Sequence, residues 1–203
     1  MISVITGDII NSKREAPETW LTILKSELGR ISASPHNYEI YRGDSFQLTV
    51  EDATQSLWAG IKIKAAIKSI KNLDVRMAIG IGDKTYDGSK ITESTGPAFV
   101  HSGEKFESLK KSKQNLAIQS GLKEFDREIN LLLRLGLMAM DHWTPKDAQT
   151  IKTVMDNPNK FQEEIGAILG IKQNAVSGRL KRAYFREIED LNEMFVAKLK
   201  ACL

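Results

Sequence analysis

The sequence predicts an α+β chain in two parts: an antiparallel sheet with helices over residues 1–121, then an all-α segment over residues 122–203. Three observations predict it. Short β-rich runs alternate with helical periodicity in the first part, strand signals stop beyond residue 122, and two β-rich runs are separated only by Gly43-Asp44. Apolar residues at 41% and charged residues at 27% are ordinary globular usage, which excludes a disordered, collagen-like or low-complexity chain.

Each element has its own signal. Ile2–Thr6 is a short apolar β-rich run that ends at Gly7. Trp20, Leu21, Ile23, Leu24, Leu28 and Ile31 recur at helical spacing over 17–32, and Ser34-Pro35-His36-Asn37 breaks that helix. Asn37–Arg42 and Ser45–Val50 form a hairpin. Ala53, Leu57, Ile61, Ala65 and Ile67 mark a second helix, and Val75–Ile81 a strand ending at Gly82-Asp83. Gly96-Pro97 opens a third helix, followed by a last strand over Gln114–Ser120. The order β-α-β-β-α-β, then α and β, is that of a ferredoxin-like or palm sheet, expected to be antiparallel with helices on one face.

The second part is helical throughout. Glu124 to Met140 is strongly apolar, with Leu131, Leu132 and Leu133 in succession. Thr144-Pro145 supplies an N-cap and a Pro at the first helical position of the next helix. Asn157-Pro158-Asn159 stops it; a short helix over Lys160–Leu169, a turn at Gly170-Ile171-Lys172 and one long helix from Gln173 to Lys200 follow.

Composition narrows the function classes. A single cysteine, Cys202, excludes a disulfide scaffold and a cysteine-based zinc site. The three histidines at 36, 101 and 142 are scattered, which argues against a histidine metal centre. With no apolar run long enough to span a bilayer and no basic region before an apolar one at the N-terminus, the chain is expected to be cytoplasmic, without a membrane partner. Net charge is only +3, but Lys172, Arg179, Lys181, Arg182 and Arg186 place five cations and no acid in residues 172–186. A local cationic face holds phosphates even when the whole chain is nearly neutral.

Residues 162–183 have the spacing of a helix-turn-helix. Gly166 must be small where the second helix crosses the first, and Gly170 sits in a turn that needs positive φ. Ile165, Leu169, Ile171, Val176 and Leu180 make the small core between the helices. The candidate DNA-binding residues are therefore Lys172, Gln173, Asn174, Ser177, Gly178, Arg179, Lys181 and Arg182, with Arg186 beyond them. Amide side chains pair with base edges, small residues permit close approach, and cations reach phosphates. The spacing resembles region 4 of sigma factors.

A second constellation lies in the first part. Gly7-Asp8-Ile9-Ile10-Asn11-Ser12 ends the first strand, and Arg42-Gly43-Asp44-Ser45-Phe46 is the hairpin. On neighbouring central strands Asp8 and Asp44 would meet, and two carboxylates on one edge suit Mg²⁺ with oxygen ligands and substrate phosphates. The same residues also suit a cap and a hairpin turn, so both readings stay open. These motifs, with Val75–Gly82, resemble the catalytic domain of class III nucleotide cyclases over residues 2–106. That resemblance implies a palm, a metal on Asp8 and Asp44, and a nucleotide. His101 and Lys105 stand near, but offset from, the family's ribose- and phosphate-holding Asn and Arg, so cyclase turnover is not expected.

Thr6–Arg14, Gly43–Gln47, Gly80-Ile81-Gly82, Thr95–Phe99 and the terminal helix-turn-helix together resemble the SatD family of bacterial proteins over nearly the whole chain. The resemblance implies a regulatory setting linked to acid tolerance. The expected function is a bacterial DNA-binding transcriptional regulator, with double-stranded DNA as partner, a homodimeric state and a cyclase-like sensing or dimerisation domain. The alternative is a Mg-dependent nucleotide-binding or nucleotidyl-transfer enzyme on Asp8 and Asp44.

Overall fold

β1 (Ile2–Ile10) is the central strand of a five-stranded sheet in the computed structural model, which describes residues 1–32 and 34–202. Helix α1 (Pro17–Ile31) leads to the hairpin β2 (Tyr38–Tyr41) and β3 (Ser45–Val50). Then come α2 (Ser56–Lys68), β4 (Asp74–Gly82), α3 (Pro97–Ser112) and β5 (Leu116–Gln119). The remaining helices are α4 (Lys123–Met140), α5 (Pro145–Asp156), α6 (Gln162–Leu169), α7 (Gln173–Arg182) and α8 (Phe185–Cys202). The chain is α+β, as its sequence predicts.

Strand order is β2-β3-β1-β4-β5. β1 is antiparallel to both β3 and β4, but β5 joins β4 in parallel, so the sheet is mixed and not wholly antiparallel. The parallel pair needs a crossover, and α3 provides it. It lies on the opposite face from α1 and α2, so the helices cover both faces where one was expected.

The residue pattern explains this two-faced burial. Ile5, Ile9, Met77, Ile79, Leu48 and Ile118 point to the face covered by α2 and join one large apolar cluster with Trp20, Leu24 and Leu28 of α1. Ala78, Ala117, Phe106 and Leu109 form a smaller cluster on the other face. There α3 approaches so closely that a Cβ on Gly80 would lie 2.2 Å from the Ala98 carbonyl oxygen. Thr6 donates its hydroxyl to Ser102 Oγ of α3 at 3.0 Å.

β1 does not stop at Gly7. It continues to Ile10 through its pairing with Val75 and Asp74 of β4; the Phe46 ring fills the space a side chain at Gly7 would take, 2.6 Å from such a Cβ, and Ile9 resumes the buried face. The hairpin loop is Arg42-Gly43-Asp44, one residue longer than expected, with Arg42 (φ 51°) and Gly43 (φ 90°) both left-handed. Mirror-image turns of this kind match the strand twist.

The large cluster does not end at residue 121. It runs from Ile5 to Leu199 and takes in Ile129 and Leu133 of α4, Ile151 of α5 and Phe195 of α8. Trp58 of α2 meets Phe185 of α8 with ring centroids 6.1 Å apart. Lys64, fully buried on α2, pairs with Asp74 of β4 at 2.8 Å and with Asp141 after α4 at 2.7 Å. Lys68 adds Asp74 Oδ2 at 3.1 Å and the Asp141 carbonyl at 2.8 Å. A buried ammonium persists because these carboxylates replace its hydration. At the β5 edge, Asn130 of α4 accepts from the Ile118 N–H at 2.9 Å and donates to the Ile118 carbonyl at 2.8 Å.

The long terminal helix expected from Gln173 to Lys200 is two helices. Tyr184 takes a left-handed conformation at φ 53° and the chain turns there. Neither Gly nor Pro marks the break. It follows from distant partners: Trp143 Nε1 donates to the Ala183 carbonyl at 2.9 Å, and Phe185 is buried against Trp58.

Candidate nucleic-acid interface and a polar cleft

α5 is the platform under the C-terminal helices. Its start is fixed by a capping box, in which Thr144 Oγ1 accepts from the Asp147 N–H and Asp147 accepts from the Thr144 N–H. α6 then turns into α7 through Gly170, left-handed at φ 65°, and the Ile171 N–H donates to the Gly166 carbonyl at 2.9 Å. A Cβ on Gly166 would stand 2.6 Å from the Ile171 carbonyl oxygen, so no larger residue fits. Ile165 and Val176 are buried between the two helices, and Leu169, Ile171 and Leu180 are half-buried around them.

The candidate DNA-contacting residues divide into two groups. Lys172, Asn174, Ser177 and Lys181 are exposed, and Gly178 is half-buried beside them. Gln173 is exposed, but its Nε2 donates to Gln162 Oε1 at 3.0 Å, which ties the start of α7 to the start of α6. Half-buried Arg179 donates to Thr150 Oγ1 at 3.1 Å, and Arg182, itself exposed, donates to Asp147 Oδ1 at 2.9 Å, so both arginines also tether α7 to α5. Arg186 lies past the turn at Tyr184. It shares a cleft of about 650 Å³ with Lys181, Glu189, Asp190 and Glu193. Burial, then the charges of Asp190 and Glu193, push the Glu189 carboxyl above its ordinary value, against the opposing pull of Arg186. The cationic face of α7 therefore ends on an acidic border.

Asp8 and Asp44 do line one cleft, of about 550 Å³, on the α3 face of the sheet. Their partners are protein groups. Asp8 faces Arg76 across the β1–β4 register and takes a two-pronged ion pair, Nη2 to Oδ2 at 2.6 Å and Nε to Oδ1 at 3.1 Å. Asp44 accepts the Ser12 hydroxyl at 2.6 Å. Among the described residues no group of three or more His, Cys, Asp or Glu is placed to hold a metal ion. The same cleft is lined by Lys13 and Arg14 after β1 and by Lys110, Lys113 and Asn115 at the end of α3. His101 is not part of it; its Nδ1 lies 2.8 Å from the Ile81 carbonyl oxygen, nearer the start of α3.

Arg76, Lys110, Lys113 and Asn115 were not among the sequence-based candidates. Arg76 had one available signal: it is a charge inside an otherwise apolar strand. The α3 residues had none, because only the crossover brings them to the end of β1.

Among the described residues no helix is long and apolar enough to cross a membrane. No curated protein matches the chain. The SatD family model matches residues 1–193, and the chain belongs to the SatD family.

Proposed function

We propose that the chain is a bacterial, cytoplasmic, DNA-binding transcriptional regulator. The observation that carries this reading is the α6–α7 hairpin, whose close glycine contact and left-handed turn leave Lys172, Asn174, Ser177 and Lys181 exposed along α7. In this reading residues 122–203 form the helix-turn-helix unit, α7 enters the major groove, and residues 1–121 form a ferredoxin-like sensing or dimerisation unit. The β2-β3-β1-β4 order, with every pair antiparallel, supports that assignment of the first part.

A single helix-turn-helix covers few base pairs, so specific binding calls for a second copy. The groove between α4 and α8 suits it: Leu135, Met138, Tyr184 and Met194 are exposed there, with Glu187 and Asp190 on its wall and Arg134 exposed on the neighbouring turn of α4. Two copies would cover those apolar faces against each other. Fluorescence anisotropy of a labelled duplex at several salt concentrations tests the reading. Affinity that falls steeply with salt is expected, and salt-independent or absent binding refutes it.

A second reading is a Mg-dependent nucleotide-binding or nucleotidyl-transfer enzyme, favoured by the placement of Asp8 and Asp44 in one cleft. It requires Arg76 to release Asp8 to the metal. Turnover of a nucleoside triphosphate abolished by Asp8→Ala would establish it.

A further inference from the structure

The cleft at the end of β1 has the opposite electrostatics from a metal site. Five cations line it, Lys13, Arg14, Arg76, Lys110 and Lys113, against two acids, Asp8 and Asp44, an excess of three positive charges. One acid is already matched: Asp8 is engaged by two nitrogens of Arg76. A guanidinium has five N–H donors, so Arg76 keeps donors beyond those that Asp8 takes. Lys110 also pairs with Glu107 at 3.0 Å and lies over the Phe106 ring, and Arg76 lies over the same ring, at 5.7 Å from its centroid. Lys13, Arg14 and Lys113 are exposed.

The backbone around the cleft is unusual too. Five described non-glycine residues have positive φ: Asn11, Arg42, Asn72, Lys113 and Tyr184. Asn11 and Lys113 line the cleft, Asn72 accepts from Asn11 Nδ2 at 3.2 Å through its carbonyl, and Arg42 stands two residues from Asp44. Such conformations cost energy and gather at ligand clamps. Here Asn11 and Lys113 set the turns that carry Lys13, Arg14 and Lys113 around one opening, with the hairpin contributing Asp44. The volume, about 550 Å³, suits a molecule of nucleotide size.

We propose that this cleft binds a phosphate-bearing small molecule directly on Lys13, Arg14, Arg76 and Lys113, without a divalent metal. Asp8 acts here as a positioning residue that fixes Arg76. Arg76 offers its planar fork, and the lysines act as point charges. The proposal stands whether or not α7 reads DNA.

Isothermal titration calorimetry of the full chain in EDTA tests it, with inorganic tripolyphosphate and a nucleoside triphosphate as separate probes. Saturable binding of either probe in EDTA is expected. Equal affinity would assign recognition to the phosphate chain, tighter nucleoside triphosphate binding would add a nucleoside subsite, and both outcomes support the site. Lys13→Glu with Arg14→Glu should weaken binding about tenfold or more, given the strength of charged hydrogen bonds. Lys113→Glu, on a different element, should do the same, and melting curves of both variants check that they fold. Binding that appears only with Mg²⁺, or that survives all three charge reversals in a folded protein, overturns the proposal. So would charge reversals that weaken duplex DNA binding and leave tripolyphosphate binding unchanged, since the cations would then belong to the nucleic-acid face.

Discussion

Arg182 of α7 donates to Asp147 of α5 at 2.9 Å, and Asp147 is the same residue that closes the capping box on Thr144. One carboxylate therefore starts α5 and seats the helix assigned to DNA reading. Arg182→Met and Asp147→Asn should be coupled in a double-mutant cycle by about 0.5–3 kcal/mol, as residues in one network are. Additive effects on urea unfolding would separate the two roles.

The exposed cations are expected to carry the salt dependence. Lys172→Ala with Lys181→Ala should make the log–log salt slope of duplex binding shallower by about 1.8, since each phosphate that a lysine no longer neutralises removes about 0.9. Anisotropy titrations over a salt series measure it, and an unchanged slope would remove these lysines from the interface.

Gly166→Ala should destabilise the α6–α7 hairpin. Its methyl would stand 2.6 Å from the Ile171 carbonyl oxygen, and a backbone atom cannot swing aside as a side chain does. A loss of about 1–3 kcal/mol is expected, in the range of overpacked cores. Thermal melting of the variant checks it, and an unaltered melting temperature would mean that the helices separate freely.

Lys64→Met leaves Asp74 facing Lys68 alone and deprives Asp141 of its ammonium partner. Breaking a buried ion pair on one side costs about 3–5 kcal/mol. Chemical denaturation followed by fluorescence should show a lower midpoint with one transition.

Asp156 links α5 to α2 and α1. Burial alone would raise its pKa, but hydrogen bonds from Lys152 and Lys62 outweigh burial and hold it below the ordinary carboxylate value. A carboxylate lowered in the folded state stabilises the fold above its unfolded pKa, about 3.9, and loses that contribution as pH falls through the folded value. Asp156→Asn should flatten the fall in melting temperature below about pH 4. An identical acid profile for variant and parent would count against it.

Local patterns carried far in this chain. Ser45–Val50 is read from β propensity with both ends right, and Pro17–Ile31 from its apolar period within a residue. The glycines of the helical hairpin announced themselves through the spacing around them. What stayed hidden depends on partners distant in sequence. Tyr184 breaks the last helix because of Trp143 and Trp58, neither of which leaves a mark near residue 184. β5 lies parallel because α3 crosses the sheet, and an apolar run of four residues does not encode direction. From spacing, Asp8 and Asp44 suit either a cation-holding pair or turn residues, and Arg76 faces Asp8 only once the β1–β4 register is set. Arg179 and Arg182 read as phosphate-reaching cations; what their spacing does not show is the bond each makes to α5, although Arg182 stays exposed.

The amide of Asn130 has a consequence for how the nascent chain behaves. By accepting from and donating to one residue, Ile118, it acts as a single-residue strand laid along the outer rim of β5. Open rims recruit other chains, and synthesis delivers β5 before α4. Until Asn130 docks, β5 is a template for a neighbour; afterwards it is closed by a side chain that cannot propagate a ladder. Asn130→Leu would fill the same space and leave that door open, so its signature is expected in the yield of refolded monomer at rising protein concentration more than in the activity of molecules already folded.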